Sequence, residues 1–396
     1  MDSPETFRQE TRAWLEQNCP ESQRKPASPH SLNYGGRNAS FESEDAKQWM
    51  LRMAERGWTA PEWPSEYGGG GLSGAEASIL KEEMGRLSCR PPLIGHGLWM
   101  LGPLLLEFGN DAQKQQHLPA IAKGKIRWCQ GFSEPGAGSD LAALRCKAED
   151  KGDHFLVNGS KTWTTDADKA GWIFCLVRTE TGPVKQEGIS FLLIDMQTPG
   201  VSVNPIRLLN DDCHFCETFF DNVKVPKENL VAELHKGWPL AKRLLQHERA
   251  SMGDLASMMP KPLYTVIELA KLYTPVDADG RLLDANVRSR LTQHLMNQQS
   301  MRLTHERAYA EGMAGVLDMN MTTFFKYYST EETKRKDELI INMLGERGLG
   351  WDEESFEDHE FKNTSTWLQS KVLSMGGGTS EVQLNIVAKR ALGLPD

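Results

Sequence analysis

The sequence predicts a multidomain α+β protein in which an α-helical region, a β region and a second α-helical region follow one another. Three observations support this fold class. The 396 residues are enough for two or three ordinary domains. Apolar residues recur at helical spacing through the first part of the chain and again from Gly237, whereas short alternating runs separated by turn residues fill the middle. We therefore predict domains at 1–125, 126–235 and 236–396.

Helix signals define the first region. Ser3 is suited to the N-cap position and Pro4 to the first helical position, which together predict a helix over 3–19. A segment rich in Pro, Ser, Asn and Gly predicts a surface loop over 20–42. Further helices are predicted at 43–57, 74–87 and 96–123.

Strands are predicted in the middle region, where alternating or apolar runs lie between turn residues. Clear examples are the runs at 154–157, 172–178 and 189–195. Helical periodicity then returns and continues toward the C-terminus. It predicts helices at 238–272, 284–315, 332–346, 363–374 and 379–391.

Composition excludes several classes of function. Hydrophobic residues make up 39% and charged residues 25%, which is ordinary for a soluble globular protein, and the net charge of −9 argues against nucleic acid as the main partner. No stretch approaches the ~20 apolar residues of a membrane span, and no signal pattern is present, so we expect a cytoplasmic protein. Seven cysteines without regular spacing indicate a reducing compartment. The CxxC at 213–216 has no second pair, so no metal site is predicted.

Two short strings carry most of the functional information. The first, SEPGAGSD at 133–140, combines hydroxyls and backbone N–H groups with glycines that let a flat or charged ligand approach the backbone. The second, NGSKTWTT at 158–165, places an indole between polar residues directly after an alternating run. An ordinary turn followed by a core aromatic is the competing interpretation. Together the strings predict a loop and a strand edge that enclose a planar cofactor.

Both strings resemble the acyl-CoA dehydrogenase family. Further matches follow in the family's order: PEWPSEYGG at 61–69, FFDNVKVP at 219–226 and GGGTSEVQ at 376–383. The resemblance extends over nearly the whole chain. It implies an N-terminal α-helical domain, a middle β-barrel-like or sandwich domain and a C-terminal four-helix bundle, with FAD as cofactor and an acyl-CoA as substrate.

The reaction implied by the resemblance is α,β-dehydrogenation of the thioester to the trans-2-enoyl-CoA. A carboxylate removes the α-proton, flavin N5 accepts the hydride, and electrons pass to an electron-transfer flavoprotein. The resemblance implies cofactor contacts at Gln130, Phe132, Ser133, Gly138, Trp163, Thr165, Thr379 and Glu381. It implies acyl-CoA contacts at Ser139, Arg249 and Gly377. Thr379 is also suited to the N-cap of the last helix, and both roles are compatible.

The catalytic base departs from the commonest family pattern. Many members carry the base in a C-terminal Tyr-Glu-Gly-Thr string, in which Gly377 occupies the Glu position here. Other members take the base from a Glu-Arg pair on the helix after the middle domain, and this chain has Glu248 and Arg249 there. The match predicts Glu248 as the base. The competing interpretation is a helix carboxylate in a structural ion pair, and Arg249 either positions Glu248 or is structural.

A second departure concerns FAD contacts from a neighbouring subunit. Many members have an Arg-x-x-Phe-Gly string between two long helices, where this chain has YTPVDADGR at 273–281. The string NMLGERG at 342–348 is likewise a weak match to a family segment with Gln and paired glycines. Candidate substitutes for the missing contacts are Arg281, Arg288 and Arg290.

Three functions follow from these matches and departures. The first is an FAD-dependent dehydrogenase, the second a non-catalytic partner subunit beside a catalytic paralogue, and the third non-redox elimination from a β-substituted acyl-CoA. The resemblance implies an oligomer, a homodimer or homotetramer, with FAD at a subunit interface. Glycines in the usual place of the base free volume beside the acyl chain, which fits branched, bulky, ring-bearing or long acyl groups.

Overall fold

The structure of the chain is a computed structural model, and its two compact units have separate cores. It describes residues 3–25, 31–258, 262–316, 323–351 and 354–395, without the side chains of 249–258, 309 and 313. The first unit comprises Met1–Ile206 with Cys213–Lys261. The second comprises Arg207–Asp212 with Pro262–Asp396.

Helices lie before and after the strands of the first unit. They span Pro4–Asn18 (α1), Glu44–Glu55 (α2), Gly74–Arg86 (α3), Gly102–Phe108 (α4), Asp111–Ala122 (α5) and Gly237–Met258 (α6). The predicted start of α1 is confirmed, because the Ser3 hydroxyl accepts a hydrogen bond from the Thr6 N–H at 3.1 Å and Pro4 follows it. The predicted helices at 43–57 and 74–87 correspond to α2 and α3.

The strands in the described part of the chain form one seven-stranded sheet. They are Trp128–Gly131 (β1), Lys147–Asp150 (β2), His154–Thr165 (β3), Trp172–Arg178 (β4), Ile189–Asp195 (β5), Val201–Ile206 (β6) and Phe215–Pro226 (β7). The order is β1-β4-β2-β3-β7-β6, and β5 pairs with β4. Strands β1 and β4 are parallel, whereas β3 is antiparallel to both β2 and β7. The predicted bounds of β4 and β5 are confirmed.

The sheet curls so that its central strands are buried on both faces. Phe174 and Leu176 of β4 pack in one core with the N-terminal helices and α6. Ile173 and Cys175 on the opposite face pack in a second core with side chains of β3 and β7. This double burial explains why β4 and β5 have continuous apolar sequences instead of an alternating pattern.

Strands β3 and β7 pair along their length with two one-residue irregularities. Between Val157 and Gly159 the extra residue lies on β7, and between Lys161 and Thr164 it lies on β3. Each is a β-bulge that changes the local register by one residue. One extra residue lies on each strand, so the second bulge cancels the register change of the first. The pairing of β3 with β7 therefore has the same register at both ends.

The second unit is helical. Its helices span Val266–Tyr273 (α7), Ala285–Met313 (α8), Phe325–Leu344 (α9), Asp358–Ser370 (α10) and Ser380–Ile386 (α11). Its core lies where α7, α8 and α9 meet, around Leu269, Leu291 and Leu339. Within the ranges described above, no helix is both long and apolar enough to cross a lipid bilayer.

Two of the long predicted helices are each interrupted in the structure, so the prediction of a single continuous helix is wrong in both cases. The stretch predicted at 96–123 contains α4 and α5, because Asn110 caps the start of α5 through a capping box. The stretch predicted at 238–272 contains α6 and α7. Pro262 has no backbone N–H to donate, and Thr265 caps the start of α7.

Candidate active site

The structure brings the two functional strings side by side. The Thr162 N–H of β3 donates to the Ser133 carbonyl at 2.9 Å, which joins β3 to the loop after β1. Within that loop, Glu134 and Ala137 exchange two backbone hydrogen bonds of 3.1 and 3.0 Å, which close a tight turn. The predicted juxtaposition of loop and strand edge is therefore present.

The loop is anchored on one side and open on the other. Phe132 is buried, with its ring edge-on to Phe174 and Phe191 at centroid distances of 6.1 and 6.2 Å, so it offers a ligand only its backbone. Gly138 and Ser139 are exposed. Among the residues that the structure describes, none outside the local chain has an atom within 4 Å of a Cβ built on Gly138, so no described side chain covers that side of the loop.

Trp163 presents its indole to solvent from the bulge on β3. The side chain is 53% exposed and touches Phe215 edge-on, at a centroid distance of 5.9 Å. Thr162 and Trp163 together lie opposite the single residue Glu217 of β7. The φ angle of Trp163 is +58°, a left-handed value that is rare for a bulky residue. Backbone strain of this kind is concentrated at functional sites.

The surroundings of Trp163 fit a planar, hydrogen-bonding ring such as the isoalloxazine of FAD. The indole supplies an exposed flat apolar surface, and Ser133 beside it is half-buried. Gln130 of β1 and Thr165 at the end of β3 are also half-buried. Their amide and hydroxyl groups have the donor and acceptor chemistry that the edge of such a ring requires.

An ion pair that the sequence did not reveal lies beneath these residues. The Lys161 ammonium lies 2.7 Å from a Glu134 carboxylate oxygen, and both side chains are buried. Each residue belongs to one of the two strings. The only signal in the sequence is that the first string contains acidic residues, Glu134 and Asp140, and the second contains one basic residue, Lys161.

Glu248 lies on α6 in line with the buried face of that helix. Leu240 and Leu244 are fully or almost fully buried, and Glu248 follows at the same four-residue spacing and is half-buried. The preceding His247 faces Glu107 of α4 at 3.1 Å, and burial lowers the pKa of its imidazole. The side chain of Arg249, predicted to contact acyl-CoA, lies outside the described residues.

The glycine loop at 376–378 lies in the second unit and is held by two side chains. Gly377 and Gly378 have φ angles of +66° and +91°, which glycine adopts without strain. The Lys326 ammonium donates to the Gly378 carbonyl at 2.6 Å, and the Gln383 amide donates to the Gly377 carbonyl at 3.1 Å. Sequence reasoning missed both anchors, which lie on α9 and α11.

Thr379 caps α11 as predicted. Its hydroxyl accepts a hydrogen bond from the Val382 N–H at 3.3 Å. Glu381 is exposed in the first turn, where its own backbone N–H and the Thr379 hydroxyl lower the pKa of its carboxyl. The contacts of both residues with a cofactor stay predictions.

Comparison with known proteins gives matches along the whole chain. The family model described as acyl-CoA dehydrogenase, N-terminal domain, matches residues 2–125. The middle-domain model matches 129–223 and the C-terminal-domain model matches 235–392. Acyl-CoA dehydrogenase IpdE1 of Mycobacterium tuberculosis is 33% identical over 399 residues, covering 100% of this chain and 99% of the relative.

Solved structures agree with these matches. The Tcur3481-Tcur3483 steroid ACAD superposes with a TM-score of 0.73 at 28% identity, covering 99% of this chain and 97% of the other. The ChsE4-ChsE5 complex from Mycobacterium tuberculosis gives a TM-score of 0.71 at 25% identity, with coverage of 100% and 98%.

The order of the matched regions agrees with the observed architecture. A helical N-terminal region, a curled middle sheet and a helical C-terminal region confirm the predicted fold class. Family members bind FAD, and the residues around Trp163 suit its ring. The chain belongs to the acyl-CoA dehydrogenase family and is an FAD-dependent oxidoreductase.

Proposed function

We propose that this chain dehydrogenates an acyl-CoA thioester to the trans-2-enoyl-CoA, with Glu248 as the base that takes the α-proton while a hydride leaves the β-carbon. This proposal rests on the position of Glu248, which follows the buried residues Leu240 and Leu244 at four-residue spacing on the same face of α6. A half-buried carboxylate beside apolar side chains is partly shielded from water, which favours proton transfer from carbon. An arbitrary exposed carboxylate would have no such shielding.

FAD, when bound, supplies the acceptor for the two electrons and the hydrogen that leave the β-carbon. The exposed Trp163 indole would offer its flat surface to the ring of bound FAD. Polar contacts to FAD are proposed for Gln130, Ser133, Thr165, Thr379 and Glu381, with the backbone of Phe132 and Gly138 close to the ring. Electrons are proposed to leave through an electron-transfer flavoprotein.

The thioester oxygen gains negative charge as the α-proton leaves, so a donor must be positioned beforehand. We assign this role to the Gly377 N–H. The loop around it is held by Lys326 and Gln383, which supports a fixed orientation of that N–H. Ser139 and Arg249 are proposed to contact the acyl-CoA, as the family resemblance implies.

The proposed substrate class is a ring-bearing acyl-CoA. Glycines at 376–378 remove side chains from the segment that usually carries the base. In the described part of the chain, no atom beyond the local segment lies within 4 Å of a Cβ built on Gly377, so no described side chain takes the place of the missing one. The similar structure described as a steroid ACAD supports the same class.

A second candidate is a subunit that works only with a paralogous chain. The missing Arg-x-x-Phe-Gly string at 273–281 removes family contacts that reach a neighbouring FAD. The ChsE4-ChsE5 structure, described as a complex of two chains, favours the same possibility for this chain. In that case a homodimer or homotetramer would lack a complete cofactor site.

Anaerobic bleaching of bound flavin by a panel of acyl-CoAs tests the proposal. Short, branched, long, aromatic and steroid-like thioesters are compared with the purified chain alone. Bleaching by the ring-bearing thioesters supports the dehydrogenase and its substrate class. Bleaching that requires an added paralogue supports the second candidate, and product formation without an electron acceptor supports non-redox elimination.

The role of Glu248 is tested by Glu248→Gln, which keeps shape but removes the base. We expect intact FAD binding and a rate at least ~10³-fold lower, within the range for loss of a proton-transfer group. Glu233→Gln is the matched control, because Glu233 is exposed shortly before α6. Near-normal turnover of Glu248→Gln would show that Glu248 is not the base and that another carboxylate has this role.

A further inference from the structure

We propose that Lys161 and Glu134 are positioning residues for FAD. Their buried ion pair holds the loop at 133–140 and the exposed Trp163 in the arrangement that receives the isoalloxazine ring. This inference rests on the proposed placement of FAD at Trp163, and it is independent of the identity of the base.

The pair ties together the end of β1, the loop and β3. The fully buried Lys161 ammonium lies 2.7 Å from the Glu134 carboxylate and also donates to the Phe132 carbonyl at 3.2 Å. The Glu134 carboxylate in turn accepts hydrogen bonds from the N–H groups of Arg145 and Cys146, at 2.6 and 2.9 Å. One carboxylate therefore joins the start of the loop to the segment that enters β2.

The ion pair lies two residues before the strained Trp163. A left-handed φ in a bulky residue persists only where the surrounding structure over-determines it. On one side of the bulge the constraints are the Lys161 contacts and the Thr162 hydrogen bond to Ser133. On the other side Thr164 returns to regular pairing with Cys216. Without the contacts of Lys161, the bulge can return to regular pairing. The register would then change by one residue, which would turn the Trp163 side chain to the opposite face of the sheet.

A role in fold stability alone is an insufficient explanation. Buried ion pairs are weak sources of stability, because apolar pairs of similar volume often replace them without loss. Removal of a single partner is harmful mainly because it leaves an uncompensated buried charge. A double substitution therefore separates the two roles: it relieves the lone charge but does not restore the anchor.

The experiment measures FAD affinity and thermal midpoint of the apoprotein for Glu134→Gln, Lys161→Met and the double variant. Titration with FAD, followed by quenching of indole and flavin fluorescence, gives the affinity without acyl-CoA or turnover. We expect the double variant to melt near the wild-type temperature and yet to bind FAD roughly 10- to 100-fold more weakly, the range known for supporting residues behind metal sites. Its indole quenching at saturating FAD should also be reduced.

Lys185→Met is the matched control. Lys185 pairs with Asp140 of the same loop at 2.5 Å, but both side chains are exposed. We expect its FAD affinity to stay within about twofold of the wild type, since exposed pairs contribute little. If a variant lacking Lys161 fails to fold, folded Glu134→Gln, which keeps shape and one acceptor oxygen, still reports the change in FAD affinity and quenching, while its thermal midpoint includes the cost of the uncompensated Lys161 charge.

Two results would overturn the inference. One is a double variant, or a folded Glu134→Gln variant, that binds FAD with wild-type affinity and quenching. The other is an equal loss of affinity in Lys185→Met. Because Glu248 takes no part in these measurements, an error in the assignment of the base would leave them unchanged, whereas wild-type protein that binds no FAD would refute the cofactor site itself.

Discussion

Removal of the negative charge of Glu83 is expected to destabilise the packing of α1 on α3. Its carboxylate accepts hydrogen bonds of 2.8 to 3.2 Å from Arg8 and Arg12 of α1 and from Arg86 of α3. The Glu83 side chain is only 3% exposed, so the carboxylate depends on these donors instead of water. Glu83→Gln keeps the shape of the side chain and removes its charge.

The magnitude follows from the pKa of Glu83. Hydrogen bonds from Arg12 first, then Arg86 and Arg8, lower this pKa from its ordinary 4.5 to about 2. At ~1.4 kcal/mol per pKa unit, the upper limit of the charge's contribution is about 3 kcal/mol. The arginine side chains are 29 to 44% exposed, so water screens part of this energy and we expect about 2 kcal/mol.

The sign of the pH dependence is fixed by the direction of the shift. Because the folded-state pKa lies below the unfolded one, the stabilisation is fully present above pH 4.5 and is lost as the pH falls toward 2. The free energies of unfolding of wild type and Glu83→Gln should therefore differ at pH 7 and converge in acid.

Urea unfolding at pH 7 and about pH 3 measures the free energies of unfolding. Glu82→Gln is the matched control, because Glu82 contacts the same Arg8 at 2.7 Å but is 60% exposed. Its effect should stay within about 0.5 kcal/mol. The reasoning is refuted if Glu83→Gln costs no more than the control at pH 7, or if its deficit is undiminished in acid.

Three further predictions concern Trp163, Gly237 and His117. Trp163→Gly should weaken FAD binding in a flavin titration and leave the apoprotein's thermal midpoint unchanged or higher, because the indole is exposed and its φ of +58° suits glycine; a large drop in that midpoint would contradict this. Gly237→Ala should destabilise the chain by about 1–3 kcal/mol in urea unfolding, because the new Cβ would lie 2.6 Å from the Ser190 carbonyl carbon. His117→Phe should make stability less dependent on pH between 6.5 and 4. Burial lowers the pKa of His117 from 6.5 to about 4, so in that range the unfolded wild type binds more protons than the folded form and its stability decreases as the pH is lowered. An unchanged slope between pH 7 and 5 would count against the last.

The sequence predicted elements whose signal is local. Strands β4 and β5 were predicted with their observed bounds because their apolar runs end at turn residues. Strand β3 was predicted only over 154–157, because a glycine and a bulge interrupt its alternation. The break at Pro262 was missed although Thr265 and Glu268 form a capping box, because apolar periodicity continues across it.

The proximity of the two strings around Trp163 was predictable from the sequence, whereas the contacts that join them were not. Lys161 and Glu134 are 27 residues apart, and periodicity contains no information about which distant side chains meet. The same holds for Lys326, which lies 52 residues from the carbonyl it binds. Long-range pairing of this kind depends on tertiary packing.

The opposed bulges of β3 and β7 have a consequence for how this edge of the sheet changes through evolution. Phe155, Val157 and Lys161 of β3 are buried, whereas Trp163, the next odd-numbered residue, is exposed because the bulge lies between them. Loss of one residue from either strand would misalign the rest of the pair, but loss of one from each would preserve both ends. Insertions and deletions here should therefore occur as correlated pairs, one in each strand, so that the segment around Trp163 can change in length without misaligning the flanking strands.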